Sequence, residues 1–305
     1  MHYTDARPGP LLVALGGMHG NERAGVVALQ RLAMMLAAEP AKNPSFAYRG
    51  TFVGLAGNRA AIARGNRFVR QDLNRIWTPA NVARIAALPA AARGPEETEL
   101  YELHSTIRNL VAHIRPPQLY VLDLHTTTAD GGIFTLPARA PESERLAAEL
   151  HAPVITGMLD GLAGTTLHYF TDANWPVPTS AVTFEAGQHD DPQSADRAVA
   201  AVVNFMRAAG AIRQQDVEHR HDVLLQAYSA GLPRRSHLVY THRIQPGDQF
   251  VMRPGYVNFQ AVKKDEVLAH DRHGIIRAPR SGRLLMPLYQ QQGDDGFFIV
   301  EPRED

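Results

Sequence analysis

Apolar residues in this chain gather into short, nearly unbroken runs, and the runs end in glycine, histidine or glutamate. Leu11–Leu15 leads into Gly16-Gly17. The run 118–124, led in by Pro116-Pro117, ends in His125-Thr126-Thr127-Thr128, and 180–184 ends in Glu185-Ala186-Gly187. Runs that are apolar at consecutive positions, not alternate ones, predict parallel strands buried on both faces. Stretches 51–56, before Gly57-Asn58-Arg59, and 133–136 add two more strands. Helical patterning fills the gaps. It covers Glu22 to Glu39, rich in Ala, Leu, Met and Val and stopped by Pro40, and Glu96 to Ile114, between Pro95 and Pro116. Glu142 to Leu150 follows, and then a helix opened by Asp191-Pro192 that runs to about Ala209, with Gly210 as C-cap. Alternation of this kind up to about residue 210 predicts a three-layer α/β/α sandwich with a mixed, largely parallel central sheet.

The pattern changes after that. Residues 211–235 are polar and basic and are expected to form a connecting segment, with His219 and His221 solvated. From Ser236 on, short strands separated by Gly, Pro and Asp predict a small C-terminal β domain over 236–305, beside a catalytic domain over 1–210. The stretch 278–282 is similar to the hairpin turn of biotinyl and lipoyl carrier domains, without their modifiable lysine. Such a domain is expected to cap the crevice and to restrict it to small substrates. Gly293-Asp294-Asp295-Gly296 is a mouth-lining loop or a solvated hairpin.

Strand ends are where open α/β sheets bind ligands, and here they carry chemistry. His19 and Glu22 are three residues apart just after the first run, a spacing that puts both on one side of a helical turn. Imidazole with carboxylate suits zinc. His125, at the end of a neighbouring run, supplies a third ligand and leaves a position open for water. Glu185 is placed as His125 is, and a carboxylate following buried residues is a candidate base; a solvated loop glutamate is the plain alternative. Between residues 66 and 77 lie Arg67, Arg70, Asp72, Asn74 and Arg75 among aromatics. Arginine forks suit carboxylates and developing oxyanions, and Asp72 is a candidate to orient a ligand imidazole.

Four segments, Gly17–Glu22, Asp72–Arg75, Asp123–Thr127 and Phe184–Gly187, stand in an order and spacing that resemble the succinylglutamate desuccinylase/aspartoacylase family, a relative of the zinc carboxypeptidases. The resemblance is strongest over 11–210. It implies one zinc ion per chain on His19, Glu22 and His125, with Glu185 as the general base that activates water. It further implies Arg67 as the oxyanion donor, Asn74 and Arg75 as the holders of a substrate carboxylate, and Asp72 as the partner of a zinc-binding histidine. The expected function is a zinc-dependent amidohydrolase that deacylates a small N-acyl amino acid. Departures fall where substrate is chosen. No arginine stands in 171–177, Thr126 replaces the asparagine of aspartoacylases, and the C-terminal tyrosine of the family matches Tyr289, with Phe297 as alternative. Trp175 and the missing arginine point to a more apolar or smaller pocket than one for N-acetylaspartate.

Bulk properties alter little. Lys plus Arg equals Asp plus Glu at 31 each, which gives no reason to expect a nucleic-acid or membrane partner. Cysteine is absent, which excludes disulfides and thiolate sites. No basic segment followed by an apolar stretch opens the chain, so a cytoplasmic enzyme is expected, and a homo-oligomer is compatible with the sequence. Two other classes remain open, a zinc carboxypeptidase for small peptides and a non-catalytic metal-dependent binding protein.

Overall fold

A computed structural model describes residues 1–5 and 7–303. Its strands are β1 (His2–Thr4), β2 (Arg7–Gly16), β3 (Arg49–Ala56), β4 (Leu119–Thr127), β5 (Phe134–Pro137), β6 (Val154–Thr156) and β7 (Thr179–Gln188). They continue as β8 (Arg235–Arg243), β9 (Val251–Met252), β10 (Ala261–Val262), β11 (Val267–Asp271), β12 (Gly274–Arg277), β13 (Gly282–Leu285) and β14 (Asp295–Arg303). The longer helices are α1 (Arg23–Lys42), with the short α2 (Arg59–Arg64) and α3 (Pro79–Ala87) before α4 (Pro95–Ile114). Then come α5 (Pro141–Ala148), the one-turn α6 (Met158–Gly161) and α7 (Thr166–Tyr169), α8 (Ser194–Ala208) and α9 (Arg220–Ser229).

Strands β3, β2, β4 and β7 lie side by side and parallel, in that order. Their burial on both faces explains the runs. On β2, Leu11, Val13 and Leu15 enter the core shared with α3 and α4, while Leu12 and Ala14 enter the core beneath α1 and α8. Each large aliphatic side chain so buried contributes about 1.5–3 kcal/mol. The order then runs on through β5, antiparallel to β7, to β6, β8, β14, β13 and β10. The sheet is thus mixed and mostly parallel at its centre, with an antiparallel C-terminal part. A three-stranded antiparallel sheet, β12-β11-β9, closes a third, smaller core around Tyr256, Leu268, Leu284 and Phe297.

Four local expectations are corrected. Helix α1 runs through Pro40 to Lys42, because a proline in the last, exposed turn forfeits one backbone bond and no packing. The stretch 211–235 holds α9, which packs on α8 through buried Leu225 and a two-pronged pair from Arg207 to Asp222 at 2.9 and 2.7 Å. Its apolar pattern is too sparse to show in the sequence. For the same reason His221 is buried where solvation was expected, while His219 is exposed. Stretch 278–282 closes no hairpin, since β12 pairs with β11 and β13 with β14 and β10.

Candidate metal centre

Three of the sequence-predicted ligands meet at the C-terminal ends of β2 and β4. His19 and Glu22 do not ride on a helix; they sit in the turn between β2 and α1, with Glu22 at the N-cap position. Two glycines make the turn. Gly17 has φ +74°, and a Cβ on Gly20 would stand 2.1 Å from the backbone of Ala61 at the start of α2. So seated, His19 Nδ1 lies 2.7 Å from Glu22 Oε1 and His125 Nδ1 lies 2.9 Å from Glu22 Oε2. All three side chains are buried, and their ligand atoms lie within 4.8 Å of one another.

Each imidazole is held from behind. His19 Nε2 lies 3.1 Å from Asp72 Oδ1, and His125 Nε2 lies 3.0 Å from Asp123 Oδ2. Carboxylates behind ligand histidines fix the ring and leave the opposite nitrogen free for a metal. Asp72 was legible in the sequence. Asp123 was missed, although its place two residues before His125 on a strand puts both on one face. The Thr166 hydroxyl donates to Asp123 at 2.6 Å. Charge tracks this geometry. Burial alone would push the Glu22 carboxyl up, but the His19 and His125 imidazoles outweigh it and hold it well below its usual range. His125, which burial would lower, is raised well above its ordinary value by Asp123 and Glu22. A buried His–Glu–His set with aligned nitrogens fits a divalent cation, zinc in particular.

Around this cluster lies a narrow cavity of about 110 Å³. Glu185 enters it from β7, directly beside His125 in the parallel ladder, and burial raises its carboxyl to about 8. Its Oε2 has no partner among the described residues. Arg67 donates from Nε and Nη2 to Asp72 Oδ2 at 3.1 and 2.9 Å and holds Nη1 3.6 Å from Glu22. Asn74 accepts from the Thr166 N–H at 2.9 Å and turns Nδ2 toward His125. Arg75 reaches across to Asp295 on β14 at 2.8 Å. Thr126 lines the cavity beside His189, a residue the sequence reading passed over; Thr126 Oγ1 lies 2.7 Å from His189 Nδ1.

Three predicted residues stand elsewhere. Tyr289 does not line the cavity; its hydroxyl accepts from the Tyr256 N–H at 2.9 Å and lies 3.0 Å from the Arg253 carbonyl. Trp175 stacks on Phe170 in the core, and Phe297 on His242. The apolar wall instead comes from Leu136, Leu159, Leu162, Met286, Leu288 and Phe298. Gly293, Asp294 and Asp295 do line the mouth.

Fold and cluster together define an α/β protein with a buried site of the kind that holds a divalent metal. The catalytic-domain profile of the succinylglutamate desuccinylase/aspartoacylase family matches residues 8–209, and the chain belongs to that family. The succinylglutamate desuccinylase of Pseudomonas paraeruginosa is 36% identical over 110 residues, which are 32% of this chain and 31% of that protein, so the match spans about a third of the relative's length. Among solved structures, the succinylglutamatedesuccinylase/aspartoacylase of Rhodobacter sphaeroides aligns over 98% of this chain and 87% of its own, with TM-score 0.66 and 17% identity. A product-bound ectoine utilization protein of Ruegeria pomeroyi aligns over 96% and 86%, with TM-score 0.65 and 20% identity. These likenesses carry the fold. Among the described residues no helix is long and apolar enough to cross a membrane.

Proposed function

We propose that this chain hydrolyses the amide bond of a small N-acyl amino acid, with one zinc ion on His19, Glu22 and His125. The observation that carries the reading is the unpartnered oxygen of Glu185, buried beside a His–Glu–His cluster in a cavity with one apolar wall. A binding protein has no need of a carboxyl so placed. Zinc, when bound, supplies Lewis acidity toward water and the scissile carbonyl.

The remaining work falls to side chains. Glu185, its Oε2 unpartnered and facing the cluster, takes a proton from the attacking water and returns it to the leaving nitrogen. Arg67 is oriented by Asp72 and keeps Nη1 toward the cluster, where it donates to the oxygen on which charge develops. Asn74 and Arg75 orient a substrate carboxylate. The leucines, Met286 and Phe298 exclude water and take the apolar portion of the substrate.

The test is release of free amino acid from a broad panel of N-acyl amino acids by zinc-loaded protein, with Glu185→Ala in parallel. Removal of the base should lower the rate by about two to four orders of magnitude. Tight zinc binding with no panel member cleaved would count against the reading and toward a binding protein. Cleavage of short peptides in preference to the panel would make the chain a carboxypeptidase.

A further inference from the structure

Arg75, which the family resemblance assigns to a substrate carboxylate, already has a carboxylate on it. Its Nη2 donates to Asp295 Oδ2 at 2.8 Å, and its Nη1 is spent on the Asn74 carbonyl at 2.8 Å. The other oxygen of Asp295 is taken by Arg243 from β8. Arg67, the second guanidinium on the cavity wall, is engaged by Asp72. Each arginine lining the cavity is therefore matched by a carboxylate of the protein itself. Asp294, at the mouth and exposed, has no side-chain partner among the described residues and adds a negative charge there. The remaining wall mixes leucines, Met286 and Phe298 with threonines, Gln290 and His189, and adds no further cation beyond the His–Glu–His cluster.

We infer that Asp295 is a specificity-determining residue: it occupies, from within the chain, the place on Arg75 that a second substrate carboxylate would take, and it selects for N-acyl amino acids with uncharged side chains over dicarboxylic ones. The inference rests on the N-acyl amino acid reading above and says which of them the site accepts. A ligand with only its α-carboxylate is served by the donors that Arg75 and Asn74 keep free. A side-chain carboxylate must displace Asp295 from two arginines or lie beside Asp294, and both cost binding.

Binding separates this from the chemistry. Affinities for N-acetyl-L-leucine and N-acetyl-L-aspartate are measured by calorimetry on the zinc-loaded full chain carrying Glu185→Gln, so that nothing turns over. The chain with Asp295 in place should favour the leucine compound. Asp295→Asn keeps the size and much of the hydrogen bonding, and should move the ratio toward the aspartate compound by about ten- to a hundredfold. Asp295→Ser should do the same should the amide variant not fold. In an Arg75→Gln background the added Asp295→Asn should move the ratio little, since the freed guanidinium is then missing. A ratio untouched by Asp295→Asn and Asp295→Ser, a starting preference for the aspartate compound, or no binding of either ligand would overturn the inference. A shifted ratio in a chain that, with Glu185 in place, cleaves no member of the N-acyl amino acid panel would uphold it and sink the deacylase reading; hydrolysis with an unmoved ratio would do the reverse.

Discussion

Two aspartates behind two histidines make the cluster what it is. Asp72 and Asp123 aim the Nδ1 atoms of His19 and His125 at one point, and neither aspartate belongs to the His19–Glu22–His125 cluster itself. Asp72→Asn and Asp123→Asn are each expected to weaken zinc affinity about 10- to 100-fold, read by competition against a chromogenic chelator. Equal affinity in either variant would show that the ring is held by something else. What the sequence revealed at this scale follows from locality. His19 with Glu22, His125 and Glu185 each adjoin a glycine or sit at the end of an apolar run, and so can be read from neighbours in the chain. Asp295 cannot, because its meaning depends on Arg75, 220 positions away. Tyr289 misleads for the same reason: an aromatic near the C-terminus matches by order, but here its hydroxyl is engaged by the backbone of residues 253 and 256.

Elements place these side chains by close approach. The ligand turn fits only because Gly20 lies against the backbone at Ala61 and Ile62, where a Cβ would meet atoms at 2.1 and 2.4 Å. Gly20→Ala should displace the turn, lower stability by about 1–3 kcal/mol and weaken zinc binding in the same protein, as a melting curve and a metal titration would record. A stability loss with zinc affinity intact would mean that the strain is absorbed in α2. The parallel strands were legible, since full burial writes itself as an uninterrupted apolar run. The ends of elements and α9 were not. Pro40 is harmless where its helix is exposed, and α9 owes its place to Leu225 and the Arg207–Asp222 pair, which no local pattern announces.

Across the molecule, burial leaves several histidines reluctant to charge. His104 is lowered to about 4 by burial and by Arg108, and His168, His221 and His242 are lowered mainly by burial. A neutral ring favoured by the fold stabilises fully above the unfolded value of about 6.5. As pH falls from there toward 4, the unfolded chain takes up protons that the folded one refuses, and stability declines. Melting temperature measured with chelator present, so that metal loss plays no part, should fall over that window, and His104→Gln should make the fall shallower. His125, raised, works in the opposite sense, so the comparison of variants is the informative one. Metal itself should act in the other direction: zinc at a hundredfold over its Kd should add about 2.7 kcal/mol, visible as a rise in melting temperature that His19→Ala abolishes.

The continuity of the large sheet has a further consequence, for traffic in and out of the cavity. Strand β6 pairs with β8, β8 with β14 and β14 with β13, so the strand bearing Asp295 and Phe298 belongs to the same continuous sheet as β2 and β4, at whose ends the His19–Glu22–His125 cluster lies. A wall woven into the same fabric as the floor cannot swing away on a hinge without tearing backbone ladders. Access to the cavity is therefore expected to depend on side-chain rotation and on the segment 286–294 at the rim, not on a swinging domain.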